Sequence, residues 1–64
     1  MKVNGNEITL AAGTSVLAYL QQQHYQLDRI AVEYNGEILK QAQYATVILQ
    51  PEDHLEIVSF VGGG

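Results

Sequence analysis

Two Asn-Gly pairs, Asn4-Gly5 and Asn35-Gly36, divide this chain and restrict what it can become. Both residues of such a pair tolerate positive φ, so Asn-Gly between alternating segments is the strongest short-range signal for a β-hairpin. Met1-Lys2-Val3-Asn4 alternates apolar and polar before the first pair. Glu7-Ile8-Thr9-Leu10 resumes the alternation after it, with Ile8 and Leu10 on one face. Residues 1–10 are therefore expected to form a hairpin. Ala11-Ala12-Gly13 breaks the strand, and Thr14 or Ser15 is suited to cap a helix. Val16, Leu17 and Leu20 recur at helical spacing, which predicts a helix of about ten residues with Tyr19 at its boundary. His24-Tyr25-Gln26 ends the pattern.

Ile30, Val32 and Tyr34 share a face and predict a strand running into the second Asn-Gly turn. Glu37-Ile38-Leu39 reads as a short extended return, and Lys40 to Ala45 has room for one helical turn. Thr46-Val47-Ile48-Leu49 is rich in β-branched residues and reads as a strand. Pro51-Glu52-Asp53 turns the chain into a last strand, Leu55 to Phe60. The expected class is α+β, one main helix over a mixed sheet of four to five strands, which lets every element bury an apolar face. The β-grasp, or ubiquitin-like, architecture satisfies this order. In it the first and last strands lie parallel at the sheet centre and the helix is the crossover. Residues 1–60 would form the domain, and 61–64 a flexible glycine tail leaving from the middle strand.

Composition removes several function classes. A chain of 64 residues buries only about 60% of its unfolded surface, so its core must be efficient. It has no cysteine, hence no disulfide, thiolate metal site or cysteine nucleophile. No apolar run is long enough for a membrane span, and the start lacks a signal-peptide layout, so a cytoplasmic location is expected. Net charge is −4, with Lys2, Arg29 and Lys40 as the only bases. That balance argues against nucleic acid and fits a basic partner surface better. His24 and His54 are far apart with no HxH or HxxxH spacing, so no metal or catalytic role is expected of them. Glu52 and Asp53 read as turn residues, and Glu33 and Glu37 as a solvated face.

Parity in the last strand singles out two residues. Leu55 and Ile57 fall on one face, and Glu56, Val58 and Phe60 on the other. If the first pair faces the helix, Val58 and Phe60 are exposed beside the tail as a candidate partner-binding patch, with Val61 extending it. Gly62, Gly63 and Gly64 follow. Without side chains they allow close approach of another backbone. Extended, the four residues from Val61 onward span about 13 Å, enough to reach a buried site while the body stays outside.

The whole chain resembles the ThiS group of ubiquitin-like proteins, the small sulfur carriers of thiamin biosynthesis. The likeness lies in the length, in Asn35-Gly36-Glu37-Ile38-Leu39, in the Pro51-Glu52-Asp53 turn, and above all in Ile57-Val58-Ser59-Phe60-Val61-Gly62-Gly63-Gly64. Many relatives end in two glycines after another residue. Here there are three, and the last two positions still match. The resemblance implies a co-substrate rather than an enzyme. An E1-like adenylating enzyme would activate the Gly64 carboxylate with ATP, and a sulfur donor system would convert it to a thiocarboxylate. A thiazole synthase would then receive the sulfur, with Gly62 and Gly63 threading the tail and no cofactor bound to the carrier itself. The alternatives are a carrier of the same chemistry serving molybdopterin synthesis or tRNA thiolation, and a β-grasp interaction module with an inert tail.

Overall fold

A computed structural model describes residues 1–60. The strands are β1 (Lys2–Val3), β2 (Asn6–Glu7), β3 (Ile30–Tyr34), β4 (Glu37–Leu39) and β5 (His54–Ser59), with one α-helix, α1 (Val16–Gln22). Short 3-10 turns occupy Leu27–Arg29 and Gln41–Gln43. The sheet order is β2-β1-β5-β3-β4, with β1 and β5 parallel and every other neighbouring pair antiparallel. This is the expected β-grasp arrangement, with the first and last strands side by side in mid-sheet. No helix among the described residues is long and apolar enough to cross a membrane.

Both Asn-Gly pairs form the turns that their conformational freedom allows. Asn4 and Asn35 both sit at φ 51, with Gly5 at 82 and Gly36 at 87. The first hairpin is shorter than the sequence suggests. Ile8 and Leu10 lie beyond β2, although both still pack against the core.

Helix α1 depends on its caps and on its packing against the sheet, because seven residues are too few for intrinsic helix stability. Ser15 is the N-cap, and its Oγ accepts from the Ala18 N–H at 3.0 Å. The other two leading N–H groups find partners outside the helix: Val16 donates to the Val47 carbonyl and Leu17 to the Tyr44 carbonyl. Three of the four amides that a helix start leaves orphaned are thereby satisfied. This explains why Thr46–Leu49 is not a strand despite its composition. The segment lies along the start of α1, joined by a single bridge between Ser15 and Ile48 and by the Leu49 amide donating to the Thr14 carbonyl. Satisfying helix donors outweighs β-propensity there.

The buried helix face is Val16, Tyr19 and Leu20, spaced i, i+3, i+4. Tyr19 therefore belongs to the core and not to a boundary, and it replaces Leu17, which is only partly buried, in the expected stripe of Val16, Leu17 and Leu20. Facing it are Val3 from β1, Val32 from β3, and Leu55 and Ile57 from β5, with Tyr44 and Leu49 closing one side. At its other end the helix stops in a two-bond motif. The His24 amide donates to the Gln21 carbonyl and the Tyr25 amide to the Leu20 carbonyl, the pattern normally built on glycine. His24 occupies that left-handed position at φ 62, where a Cβ is unfavourable. Replacing His24 with Gly is expected to stabilise the domain by about 0.5–1 kcal/mol. Thermal denaturation checks this, with an increase of a few degrees in Tm expected.

Candidate functional site

Strand β5 is the element from which the candidate site is built. On one side it pairs with β3 over five positions, from Ile30 with Ser59 to Tyr34 with Leu55. The Phe60 amide then donates to the Arg29 carbonyl at 2.7 Å, which carries the pairing to the last described residue. On the other side β1 is only two residues long and its chain turns away at Asn4-Gly5. The Asn4 side chain takes over there. Its Oδ1 accepts from the Ile57 amide at 2.7 Å, and its Nδ2 donates to the Ile57 carbonyl at 3.2 Å. One side-chain amide thus supplies the two bonds that a longer β1 would have made from its backbone.

Asn35 does the same at the start of β5. Its amide donates to the His54 carbonyl at 2.9 Å, and its Oδ1 accepts from the His54 amide at 2.8 Å. Its Nδ2 donates to Asp53 Oδ1 at 3.0 Å. Both turn asparagines, 31 residues apart in sequence (35 − 4), therefore clasp the same strand.

Asp53 is buried and joins this network. Besides Asn35, its carboxylate accepts from the Tyr34 hydroxyl at 2.6 Å and from the Gln50 amide at 2.8 Å. Burial on its own would raise the Asp53 pKa. The hydrogen bonds from Tyr34, Asn35 and Gln50 outweigh it and hold the carboxyl below its ordinary value. The same contact keeps the Tyr34 phenol protonated to higher pH than usual, chiefly because the carboxylate accepts its hydrogen. Asp53 is thus more than the turn residue its sequence context suggests.

The outer face of β5 is open. Leu55 and Ile57 are buried under the helix, while Val58 and Phe60 are 57% and 55% exposed, as strand parity requires. Ile38 on β4 is 65% exposed. It lies opposite Glu33 of β3, which in turn lies opposite Glu56 of β5. Ala31 is the cross-strand neighbour of Val58. The outer face therefore carries apolar groups at both ends of its span, with a carboxylate pair between. Ile38 was missed as part of this face, although Leu39 pairing inward with Val32 puts it there by the same parity rule. Val61, Gly62, Gly63 and Gly64 lie outside the described residues. His24 stands at the end of α1 and His54 at the start of β5, both exposed. Among the described residues no group of three or more His, Cys, Asp or Glu side chains is placed to hold a metal ion.

Known proteins resemble the chain over its full length. The model of the ThiS family matches residues 1–64. The sulfur carrier protein ThiS of Bacillus subtilis (strain 168) is 36% identical over 66 aligned positions, covering 100% of this chain and 98% of that one. The crystal structure of the thiamine biosynthesis protein ThiS from Geobacter metallireducens superposes with a TM-score of 0.82 at 30% identity, covering 98% of this chain and 96% of that one. A thiazole synthase of Paramagnetospirillum magneticum is 40% identical over 62 residues. These are 97% of this chain but only 19% of that protein, so the chain spans about a fifth of that relative's length.

The clasped base of β5 yields a pH-dependent expectation. The folded pKa of Asp53 lies below its unfolded value. Its contribution is therefore fully present above about pH 4 and is lost as pH falls through the lowered folded value. Asp53→Asn should cost about 1–3 kcal/mol at neutral pH, and that deficit should shrink in acid. Urea denaturation of both proteins at several pH values measures the difference.

Proposed function

The chain belongs to the ThiS family of sulfur carriers of thiamine biosynthesis, and on that footing we propose that Gly64 carries the sulfur as a C-terminal thiocarboxylate. A carboxylate is a poor electrophile. Attack of a Gly64 carboxylate oxygen on the α-phosphorus of ATP, in an E1-like adenylating partner, releases pyrophosphate and leaves an acyl-adenylate. Hydrosulfide supplied by the donor system then attacks the carbonyl carbon, forming the C–S bond, and AMP departs with the electron pair of the broken C–O bond while the sulfur loses its proton. The resulting thiocarboxylate supplies its sulfur to a thiazole synthase. The carrier contributes presentation, and the partners contribute the positioned donors that acyl transfer needs.

The observation that carries this reading is the build of β5. The strand is held as far as Ile57 on the β1 side and as far as Phe60 on the β3 side, and the sequence after it is Val61-Gly62-Gly63-Gly64. A rigid body followed by residues without side chains suits delivery of a terminus into a confined site. Val58 and Phe60, exposed beside that exit, suit contact with the enzyme that receives it, and Val61 would extend the contact. The likeness to thiazole synthases of Paramagnetospirillum magneticum and Magnetococcus marinus supports thiazole formation, rather than another thiolation pathway, as the destination of the sulfur.

Incubation with ATP, a sulfur source and a ThiS-activating enzyme is expected to raise the intact mass by the exchange of one oxygen for sulfur. An unchanged mass would remove the proposal. Gly63→Val should slow that conversion about 100-fold by misplacing the reacting carbon while leaving Tm unchanged. Conversion of the variant at the wild-type rate would show that the terminus is not threaded through a narrow passage.

A further inference from the structure

The two Asn-Gly turns are chemically labile as well as structural. In such a pair the glycine nitrogen can attack the asparagine side-chain carbonyl carbon, because no Cβ on the glycine obstructs it. A succinimide ring forms and ammonia leaves. Water then opens the ring at either carbonyl, giving aspartate or isoaspartate, with NH2 exchanged for OH overall. Both pairs are exposed to water. The fold restrains them through the side chain instead. Asn4 Oδ1 accepts from the Ile57 amide at 2.7 Å, and Nδ2 donates to the Ile57 carbonyl at 3.2 Å. Asn35 Oδ1 accepts from the His54 amide at 2.8 Å, and Nδ2 donates to Asp53 Oδ1 at 3.0 Å. Ring closure requires the side chain to swing back along its own main chain onto the next nitrogen. Neither asparagine can do so while both ends of its amide are held by another segment.

The two restraints differ in strength. Asn35 follows β3, which pairs with β5 over five positions and with β4 over three. Asn4 follows β1, which pairs with β5 over only two, Lys2 with His54 and Val3 with Leu55, and with β2 over two more. Local opening releases the segment with fewer pairings first, so Asn4 is freed more often than Asn35.

We propose that Asn4 is a site of spontaneous deamidation gated by release of β1 from β5, that it reacts ahead of Asn35, and that its conversion prevents the bonds to Ile57 from re-forming. The carboxylate oxygen that replaces Nδ2 meets the Ile57 carbonyl oxygen, acceptor against acceptor. The isoaspartate product also lengthens the main chain by one carbon at a turn whose length sets the strand register. An opening that reacts is therefore irreversible, and β5 loses its side-chain bonds on the β1 side. The same exchange at Asn35 sets a new carboxylate against that of Asp53. This chemistry is independent of what Gly64 carries and needs no partner enzyme.

The test holds the full chain in mildly alkaline buffer, folded in one sample and unfolded by guanidinium in another. Peptide mapping by mass spectrometry, with detection of isoaspartate, follows each Asn-Gly pair. In guanidinium both pairs should convert at similar rates. In the folded protein both should slow, with Asn4 converting about 10-fold faster than Asn35. Val3→Ala, which loosens β1 on the core, should speed conversion at Asn4 and leave Asn35 nearly unchanged. Hydrogen exchange of the Ile57 amide needs no variant, and in the wild type it should rise with temperature in step with Asn4 conversion. Asn4→Asp should lower Tm by about 4–8 °C. Conversion of Asn4 as fast in the folded chain as in guanidinium would show that the side-chain bonds do not protect it. Equal slowing at both pairs, or Asn35 reacting first, would show that release of β1 is not the gate. An Asn4→Asp variant with the wild-type Tm would show that conversion does not disturb β5. Each of these three results overturns the proposal.

Discussion

Among the described residues, the last strand is the only one whose backbone pairs with both halves of the sheet. β2 and β1 form one hairpin, β3 and β4 another, and β5 lies between them as neighbour to both. Its pairing with β3 is long and antiparallel, and its pairing with β1 is short and parallel. The short side is completed by the Asn4 amide on Ile57 and the long side is anchored at its base by Asn35 on His54. Asp53, held by three donors, fixes the turn that aims the strand. With both backbone edges occupied, β5 keeps one orientation, so Leu55 and Ile57 go into the core and Val58 and Phe60 remain outside.

Much of this could be read before any coordinates. The Asn-Gly turns are local, since their signal is the tolerance of positive φ at those residues. The alternation in the last strand is equally local and places Val58 and Phe60 correctly. What sequence reasoning missed depends on partners far along the chain. An Asn-Gly turn reveals its backbone, not that its side chain will bind a residue 53 positions away, as Asn4 does. Thr46–Leu49 has strand composition, but the exposed amides at the start of α1 recruit the Tyr44 and Val47 carbonyls and turn the segment towards the helix. Tyr19 reads as amphipathic, and only the direction from which β1, β3 and β5 approach the helix puts it inside. Gly62, Gly63 and Gly64, to which the proposed chemistry is assigned, lie outside the described residues and were read from the sequence alone.

The two faces of the sheet use charge differently. The one buried charged side chain among the described residues, Asp53, is fully partnered, as burial of a carboxylate demands. The opposed pair on the outer face, Glu33 and Glu56, has no partner within ion-pair distance among the described residues. Asp53 serves the fold, whereas Glu33 and Glu56 stand exposed on the open face.

The central position of β5 also governs when the protein becomes usable. Translation runs from the amino end, so the strand that joins the two hairpins emerges from the ribosome after both of them. A nascent chain lacking it has two hairpins with no backbone pairing between them, and isolated hairpins are marginal in water. Joining Asn4 to Ile57 closes a loop spanning almost the entire chain, and such distant pairings form slowly. An interrupted product therefore offers neither a completed sheet nor a strand to carry the glycines.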